Sequence, residues 1–255
     1  LLKQQGKHVK QMKLIIFSLC IFVLSLQAEK ISIVTEEYPP YNYFRDNHIT
    51  GMSVEVVHAV AKEADIKFTH EIFPWARAYL MARRDKNTLI HSIGRSKKRE
   101  NLFQWVGIIA PAKYCLISLK NRDDINIESL ENLKKYKIGA VRDDIQEKYL
   151  INNGFEREKH ITTVNKQQQN FDLLIKHRID MWATVELTGY HIARENHYQP
   201  NKLLETKYCF DDLSSEGTYM AFSKNTAKSI VLKFKQALQK IKNDGTYDRI
   251  LKKYL

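Results

Sequence analysis

Cysteine is scarce in this chain, and no spacing of cysteine and histidine is typical of a metal site. The 255 residues contain three cysteines, Cys20, Cys115 and Cys209, which are far apart in the sequence. Structural zinc sites use cysteine and histidine ligands in closely spaced pairs. The sequence therefore predicts neither a metal site nor a bound cofactor.

Nucleic-acid-binding motifs are also missing, although the formal net charge is +12. The chain has no Gly/Arg tract, no zinc-finger spacing and no aromatic RNA-binding motif. Acidic residues interleave with the basic ones, for example in EREKH at residues 156–160. We interpret the charge as a generally basic, solvated surface and expect no nucleic-acid partner.

Arrangements of residues that indicate catalysis are absent as well. The sequence has no Ser-His-Asp order, no glycosidase carboxylate pair and no phosphate-binding loop. Glu36, Glu37, Glu186 and His91 are the acid/base groups available to an enzyme, and no motif connects them. We therefore expect that the chain is not an enzyme.

A long apolar run occurs only once in the sequence, near the N-terminus. Residues 14–26 are apolar except for Ser18 and Ser25, and they follow a basic segment without acidic residues. This order, ended by a small residue, is typical of a secretory signal peptide, whereas a membrane span needs about 20 apolar residues. We predict a signal peptide over residues 1–28, cleaved after Ala28, and a periplasmic location. An uncleaved anchor is the alternative.

Export would leave two cysteines in the mature chain. Cys115 and Cys209 would lie in an oxidising compartment, where a disulfide is possible. Both lie in apolar or aromatic segments, KYCLIS and KYCFDD. Two buried thiols are therefore an equally good interpretation.

Apolar periodicity predicts an α/β fold. Strand-like segments at residues 30–35, 67–73 and 87–94 alternate with two amphipathic segments that have the period of a helix. The same alternation restarts after residue 120. A β-α-β-α-β order implies a mostly parallel sheet with helices on its faces.

Two further strand-like segments divide the chain into two lobes. Residues 114–120 and 218–224 lie where the chain would pass from one βαβ unit to the other. We predict that residues 29–115 and 218–255 form the first lobe and that residues 116–217 form an inserted second lobe. Two lobes joined by a two-strand hinge would enclose a cleft.

The order of several segments resembles the bacterial extracellular solute-binding proteins of family 3, which have the type II periplasmic binding fold. The segments are EEYPPYNYF at residues 36–44, SIGRSKKRENLFQWVG at 92–107, KIGAVRDD at 137–144 and LQKIKNDGTYDRILKKYL at 238–255. The resemblance extends from Lys30 to Leu255.

The resemblance implies a monomeric, exported protein that captures a small polar or anionic ligand, such as an amino acid or related carboxylate. The ligand would be delivered to a membrane ABC permease. A ligand-sensing module for a membrane receptor is the alternative. A dehydratase-like periplasmic enzyme on the same fold is the less favoured one.

The resemblance also places the binding residues. It puts Arg99 at the position of a carboxylate clamp, for which the planar guanidinium is suited, with Arg95 as a second candidate. Ser92 and Gly94 line the turn that would hold the anionic group. Tyr38 and Trp75 fall at positions of aromatic walls for the ligand.

Two departures from the family pattern affect the second lobe. Arg142 follows the strand at residues 137–141 and could add a second positive charge, whereas Asp143 or Asp144 could cap the next helix. The acid that would accept the ligand's amine aligns with Val185, so Glu186, one residue later, is the substitute. The sequence thus predicts a site better equipped for a ligand's negative end than for its positive end.

Overall fold

The computed structural model describes residues 30–210, 213 and 217–255. The signal peptide predicted over residues 1–28 lies outside the described residues. In the described part of the chain, no helix is both long enough and apolar enough to cross a membrane.

The chain alternates between short strands and helices. The strands are β1 (Ile31–Thr35), β2 (Tyr43–Arg45), β3 (His48–Thr50), β4 (Phe68–Ile72), β5 (Thr88–Ile93), β6 (Phe103–Ala110), β7 (Tyr114–Leu119), β8 (Ile138–Val141), β9 (Ile161–Val164), β10 (Met181–Val185), β11 (Leu204–Cys209) and β12 (Thr218–Ser223). The helices are α1 (Met52–Glu63), α2 (Trp75–Arg84), α3 (Ile145–Asn152), α4 (Gln167–Ile175), α5 (Glu186–Glu195), α6 (Pro200–Leu203), α7 (Lys228–Asn243) and α8 (Thr246–Leu251), with 3-10 turns at Glu100–Leu102 and Glu131–Lys135.

The first sheet has the strand order β4-β1-β5-β12-β6 and carries helices on both faces. Because side chains alternate along a strand, β1 contributes to two clusters of the core. Ile31 and Ile33 pack in one cluster with residues of α1 and α7. Val34 packs on the other face with Trp75 of α2.

The second sheet has the order β11-β7-β10-β8-β9. Phe171 of α4 packs with Trp182 of β10 on one face. The cluster on the other face includes Ile145 of α3 and extends to Tyr38 and Tyr41 of the first lobe. The core of the second lobe is therefore continuous with the surface where the two lobes meet.

The α/β, two-lobed fold is confirmed, but the strand directions correct the prediction of mostly parallel sheets. Within the residues described, each sheet has two parallel and two antiparallel pairings. In the first sheet, β12 returns from the second lobe and enters between β5 and β6 in the opposite direction. Periodicity identifies a strand but does not reveal its direction.

The strand-like segments predicted as the hinge lie within the sheets themselves. Residues 111–113 connect β6 of the first sheet to β7 of the second. Tyr114 and Cys115 already pair with β10 and β11 in the second sheet. The first crossing therefore precedes the predicted boundary after Cys115.

Of the two interpretations of the cysteines, the structure has the disulfide. Cys115 on β7 and Cys209 on β11 are direct partners in neighbouring antiparallel strands, and their sulfur atoms are bonded. Each lies next to one of the two crossings between the sheets. The strand β11 and the small β2–β3 hairpin were not predicted from the sequence.

Candidate functional site between the two lobes

The site is built around Arg99, which follows the carboxyl end of strand β5. The residue begins the 3-10 turn at Glu100–Leu102 and is only 5% exposed. Its Nη1 donates to the carbonyl oxygen of Gly94 over 3.1 Å, and its Nη2 donates to the carbonyl oxygen of Asp143 over 3.2 Å. Because Asp143 belongs to the second lobe, a buried cation connects the two lobes.

Two aromatic rings of helix α2 pack against this guanidinium. Its Cζ lies 5.3 Å from the ring centre of Trp75 and 5.1 Å from that of Tyr79, within the range of a cation–π contact. The indole Nε1 of Trp75 donates to the same Asp143 carbonyl over 3.0 Å. One carbonyl oxygen of the second lobe thus accepts from two side chains of the first.

The loop after strand β8 presents that carbonyl. Asp143 has a left-handed backbone with φ of 62°, and its N–H donates to the carboxylate of the buried Glu147 over 2.7 Å. Arg157 binds the same carboxylate through two hydrogen bonds of 2.8 Å. The Asp143 side chain pairs with Lys148 and Arg157, so the residue offers its carbonyl to the first lobe.

Two buried carboxyl groups share this region with Arg99. Glu36 follows β1 and is 5% exposed, and Asp144 caps helix α3 and is 9% exposed. Burial raises the pKa of Glu36 well above its usual value; Asp144 adds to the rise and Arg99 opposes it. Burial also raises the pKa of Asp144, although Arg99 and the N–H of Ile145 lower it. A single guanidinium does not compensate both carboxylates.

Tyr38 reaches the second lobe with its hydroxyl group. The Oη accepts a hydrogen bond from the backbone N–H of Val185 over 3.2 Å, and the ring stacks on Tyr41 at 5.5 Å. Burial raises the pKa of Tyr38 well above its ordinary value, and nearby Asp144 adds to the rise. Where the family pattern has an acid, Val185 contributes a backbone donor.

Ser92 and Gly94 shape the turn beside Arg99. Ser92 is buried with φ of 55°, and its hydroxyl donates to Asn42 Oδ1 over 2.5 Å. A Cβ on Gly94 would lie 2.7 Å from Ile145 Cδ1 and 3.0 Å from the Tyr114 hydroxyl. The close approach of the second lobe therefore leaves no room for a side chain at residue 94.

The structure brings together most of the residues that we singled out from the sequence. Those at the buried surface between the lobes are Tyr38, Trp75, Ser92, Gly94 and Arg99. That they bind a ligand stays a prediction.

Arg95 does not belong to this buried group. Its guanidinium binds the carboxylate of Glu100 over 2.7 and 2.6 Å, and it lies 5.3 and 5.5 Å from the ring centres of Trp105 and Tyr219. The hydrogen bond to Glu100 is the main cause that raises the pKa of Arg95. The residue thus braces the outside of the turn, which corrects its predicted place in the cleft.

Arg142 and Glu186 are also placed differently from the prediction. The Arg142 residue is exposed, and its backbone N–H extends the pairing of β8 with β9 by donating to Val164. The Glu186 carboxylate accepts from the hydroxyl of Thr206 over 2.6 Å, which ties the start of α5 to strand β11. Neither Arg142 nor Glu186 is among the residues described above that contact Arg99.

Sequence reasoning missed the two carboxylates as candidate ligand groups. The sequence suggests Glu36 only as an acid/base group and Asp144, beside Asp143, only as a helix cap, a role that Asp144 does fill. Both follow the carboxyl ends of parallel strands, β1 and β8, where open α/β sheets bind ligands. That position was a signal available in the sequence.

Polar contacts at the rim hold the lobes against each other. Lys98 Nζ lies 2.6 Å from Asn152 Oδ1, and Lys166 Nζ lies 3.0 Å from a carboxylate oxygen of Glu37. These contacts and those of Arg99, Trp75 and Tyr38 give a closed arrangement.

Two lobes that enclose a charged, aromatic-walled site and are joined by two crossings define a periplasmic-binding-type architecture. The profile of the bacterial extracellular solute-binding proteins, family 3, matches residues 31–255. The chain belongs to this family, which confirms the resemblance.

Individual relatives have low sequence identity to this chain, but the matches cover most of both chains. A probable histidine-binding protein of Campylobacter jejuni is 24% identical over 220 residues, covering 85% of this chain and 81% of the relative. A structure of an ancestral arginine-binding protein bound to arginine has a TM-score of 0.77 at 20% identity, covering 89% and 98% of the two chains. A histidine kinase sensor domain similar to periplasmic binding proteins also has a TM-score of 0.77 at 20% identity, covering 90% and 97%.

Proposed function

We propose that this protein captures a small amino-acid-like ligand that carries a positive charge, and that it releases the ligand to a membrane ABC permease. The ligand would bind in the closed cleft beside Arg99. This proposal modifies the expectation of an anionic ligand, because two buried carboxyl groups, those of Glu36 and Asp144, interact with Arg99.

The observation that carries the proposal is the burial of Glu36 and Asp144 beside Arg99, which is the one buried Lys or Arg among the residues that the structure describes. Burying unpaired charge is costly, and burial accordingly raises the pKa of both carboxyl groups. If both ionised, they would exceed one guanidinium by one negative charge. A ligand ammonium or guanidinium would supply the missing positive charge. A guanidinium has five N–H donors, so Arg99 retains donors for a ligand carboxylate beside its two bonds to backbone carbonyls.

The relatives support an amino acid as the ligand. The Campylobacter protein is named for histidine binding, and the ancestral structure contains arginine. Both amino acids combine a carboxylate with a cationic group or a group that can become cationic. They match an arginine flanked by two carboxyl groups better than a dicarboxylate does.

A thermal-shift panel tests the ligand class. The protein without residues 1–28 is heated with L-arginine, L-lysine or L-histidine, and in parallel with L-glutamate and succinate. A ligand at about 100 times its Kd adds about 2.7 kcal/mol to the free energy of unfolding. We expect a shift with at least one basic amino acid; a shift with the dicarboxylates alone would contradict the proposal.

The mechanism is closure of the two lobes on the ligand. The first sheet with its helices would move as one body and the second sheet with its helices as the other. The pairing of Tyr114 and Cys115 with β10 and β11 favours a boundary before residue 114 over the one expected after Cys115. A ligand that touches both lobes favours the closed state by contacts that the open state lacks. Small-angle X-ray scattering should show a smaller radius of gyration with the ligand.

Sensing is the second candidate, favoured by the likeness to a histidine kinase sensor domain. The two roles differ in what is lost when the gene is deleted. Loss of uptake of radiolabelled L-arginine supports transport, whereas intact uptake with altered gene expression supports sensing. A catalytic role would instead require turnover of the bound compound, measurable by mass spectrometry.

Export as a periplasmic monomer completes the proposal. We expect the protein in the periplasmic fraction to begin near Glu29, as N-terminal sequencing would show, and to elute as a monomer from a sizing column. Retention of residues 1–28 would favour the uncleaved anchor.

A further inference from the structure

Three histidine rings of the first lobe form an end-to-end line. His58 lies on α1, His70 on β4 and His91 on β5. The Nε2 of His58 is 2.8 Å from Nδ1 of His70, and the two Nε2 atoms of His70 and His91 are 2.9 Å apart. Among the described residues, no group of three or more His, Cys, Asp or Glu side chains is placed to hold a metal ion. The distances between the nitrogen atoms show that neighbouring rings are hydrogen-bonded to each other.

The line continues from the histidines into the ligand cleft. His91 Nδ1 is 3.3 Å from the hydroxyl oxygen of Ser92, and that hydroxyl donates to Asn42 Oδ1 over 2.5 Å. The Asn42 Nδ2 in turn donates to the backbone carbonyl of Glu36 over 2.6 Å. Five side chains thus connect the outer face of the first lobe to the residue that carries a cleft carboxylate.

The direction of every hydrogen bond in this line is fixed by its inner end. A carbonyl only accepts, so Asn42 must present its NH₂ group to Glu36 and its Oδ1 to Ser92. The Ser92 hydroxyl has one proton, which it gives to Asn42, so it accepts from His91 Nδ1–H. His91 Nε2 must then accept from His70.

The same reasoning assigns the two outer rings. His70 carries its proton on Nε2, and its Nδ1 accepts from His58 Nε2–H. All three rings are neutral in this arrangement, and a proton added to His70 or His91 would place two donors face to face. Burial lowers the pKa of His70 to about 3, with His58 contributing. Burial, together with His70 and His58, holds the pKa of His91 well below its ordinary value.

Asn42 closes the turn that bears the cleft residues. The N–H of Tyr38 donates to the carbonyl of Asn42 over 2.6 Å, and the N–H of Asn42 donates to the carbonyl of Tyr38 over 3.1 Å. Glu36 precedes this turn and is bound to it through the Asn42 amide. Asn42 therefore holds the backbone from which the side chains of Glu36 and Tyr38 extend into the cleft.

We propose that His70 and His91 are positioning residues for the ligand site, which act through Ser92 and Asn42 to hold the Glu36–Asn42 segment. The histidine line orients the Ser92 hydroxyl toward Asn42, and Asn42 then fixes the turn. The expected effect on ligand affinity rests on the proposed function, whereas the hydrogen-bond directions are independent of it.

Ligand affinity tests the proposal with L-arginine as the probe. His70→Phe keeps an aromatic ring but removes both nitrogens, and we expect its Kd to rise about 5- to 10-fold, as for the loss of one hydrogen bond. His70→Gln retains a donor and an acceptor and should recover most of the affinity. The exposed His177 of the second lobe provides the control, because His177→Asn should leave the Kd unchanged. An unchanged Kd in His70→Phe would overturn the proposal.

NMR tests the line without any ligand. Two-bond ¹H–¹⁵N spectra distinguish histidine tautomers, and we expect Nδ1–H for His91 and Nε2–H for His70 and His58. His70→Phe should also shift the amide signals of Asn42 and Tyr38, and Ser92→Ala should change the His91 signals. An Nε2–H tautomer of His91, or unshifted amides in His70→Phe, would overturn the proposal. Absence of binding of L-arginine, L-lysine and L-histidine in the wild type would instead count against the proposed function alone.

Discussion

The guanidinium of Arg99 donates a hydrogen bond to the backbone carbonyl of Asp143 across the cleft, over 3.2 Å. Trp75 donates to the same oxygen from the same side. Two donors of the first lobe therefore converge on one acceptor of the second. Closure and the ligand's anionic group would both depend on the same arginine.

Replacement of Arg99 should therefore weaken ligand binding severely. Arg99→Lys keeps the charge but loses the planar fork that reaches Gly94 and Asp143. Hydrogen bonds to charged groups contribute about 1.5–3 kcal/mol each, so we expect the Kd for L-arginine to rise by about 10- to 150-fold in calorimetric titrations. Arg95→Lys is the matched control, since Arg95 binds Glu100 outside the cleft. An equal loss in both variants would contradict a special role of Arg99.

Glu36→Gln should stabilise the ligand-free protein while it weakens binding. The pKa of Glu36 is raised by burial and by Asp144, so the folded state binds a proton more tightly than the unfolded state. Its contribution to stability is present at low pH and is lost as the pH rises above about 4, the unfolded value. The melting temperature of the variant should therefore increasingly exceed that of the wild type from pH 4 to 7.

The same variant should bind L-arginine at least about tenfold less tightly, because a charge-assisted contact is lost. Asp123→Asn changes an exposed carboxylate and should alter neither property. A melting-temperature difference that does not depend on pH would contradict the raised pKa of Glu36.

Much of the fold could be predicted because its signals are local. The apolar alternation in β1 and the proline before α2 identify those elements directly. Gly245, with φ of 76°, ends α7 and allows the turn into α8, as the Asn-Asp-Gly sequence indicated. The direction of β12 and the pairing of β11 could not be predicted, since they depend on partners far away in the sequence.

The candidate site was predictable where a residue's role follows from its own neighbourhood. Arg99 lies in a recognisable strand–turn segment, but Arg95, four residues earlier, is diverted by Glu100 and by aromatic rings of β6 and β12. Glu36 and Asp144 belong to different lobes and come close only across the cleft. A prediction from single segments therefore did not include this pair of carboxyl groups in the site.

Removal of the disulfide should lower stability without removing the fold. Cys115 and Cys209 are 94 residues apart, and a crosslink that closes a loop of about 100 residues contributes up to about 4.7 kcal/mol in the chain-entropy description. We expect the double variant Cys115→Ser/Cys209→Ser to lose about 2–5 kcal/mol in urea unfolding. Dithiothreitol should destabilise the wild type similarly and leave the double variant unaffected. Reductant sensitivity in the double variant would contradict this.

The histidine line should make stability depend on pH on the acid side. The pKa values of His58, His70 and His91 are lowered mainly by burial, so below about pH 6.5 the unfolded chain takes up protons that the folded chain does not. Stability is thus fully present above this pH and falls below it, by up to about 1.4 kcal/mol per histidine for each pH unit. Denaturant unfolding between pH 7.5 and 5 should show a smaller slope for His70→Phe than for the wild type, with His177→Asn as control. Equal slopes would mean that His70 titrates normally.

Gly94→Ala should impair closure more than stability. An added Cβ would lie 2.7 Å from Ile145 Cδ1 and 3.0 Å from Tyr114 Oη, and both of these atoms belong to the second lobe. The clash therefore exists in the closed state and is relieved when the lobes separate. We expect a Kd for L-arginine that is raised about tenfold or more, with a nearly unchanged melting temperature of the ligand-free protein.

Gly107→Ala provides the contrast to Gly94→Ala. Its Cβ would lie 2.7 Å from Leu238 Cδ2, a contact within the first lobe that persists whether the cleft is open or closed. An overpacked core costs about 1–3 kcal/mol of the free energy of unfolding. Gly107→Ala should therefore lower the melting temperature and change the Kd little. Small-angle X-ray scattering with saturating L-arginine would then show contraction for Gly107→Ala and a more open average shape for Gly94→Ala. Contraction of Gly94→Ala to the wild-type radius would show that residue 94 does not limit closure.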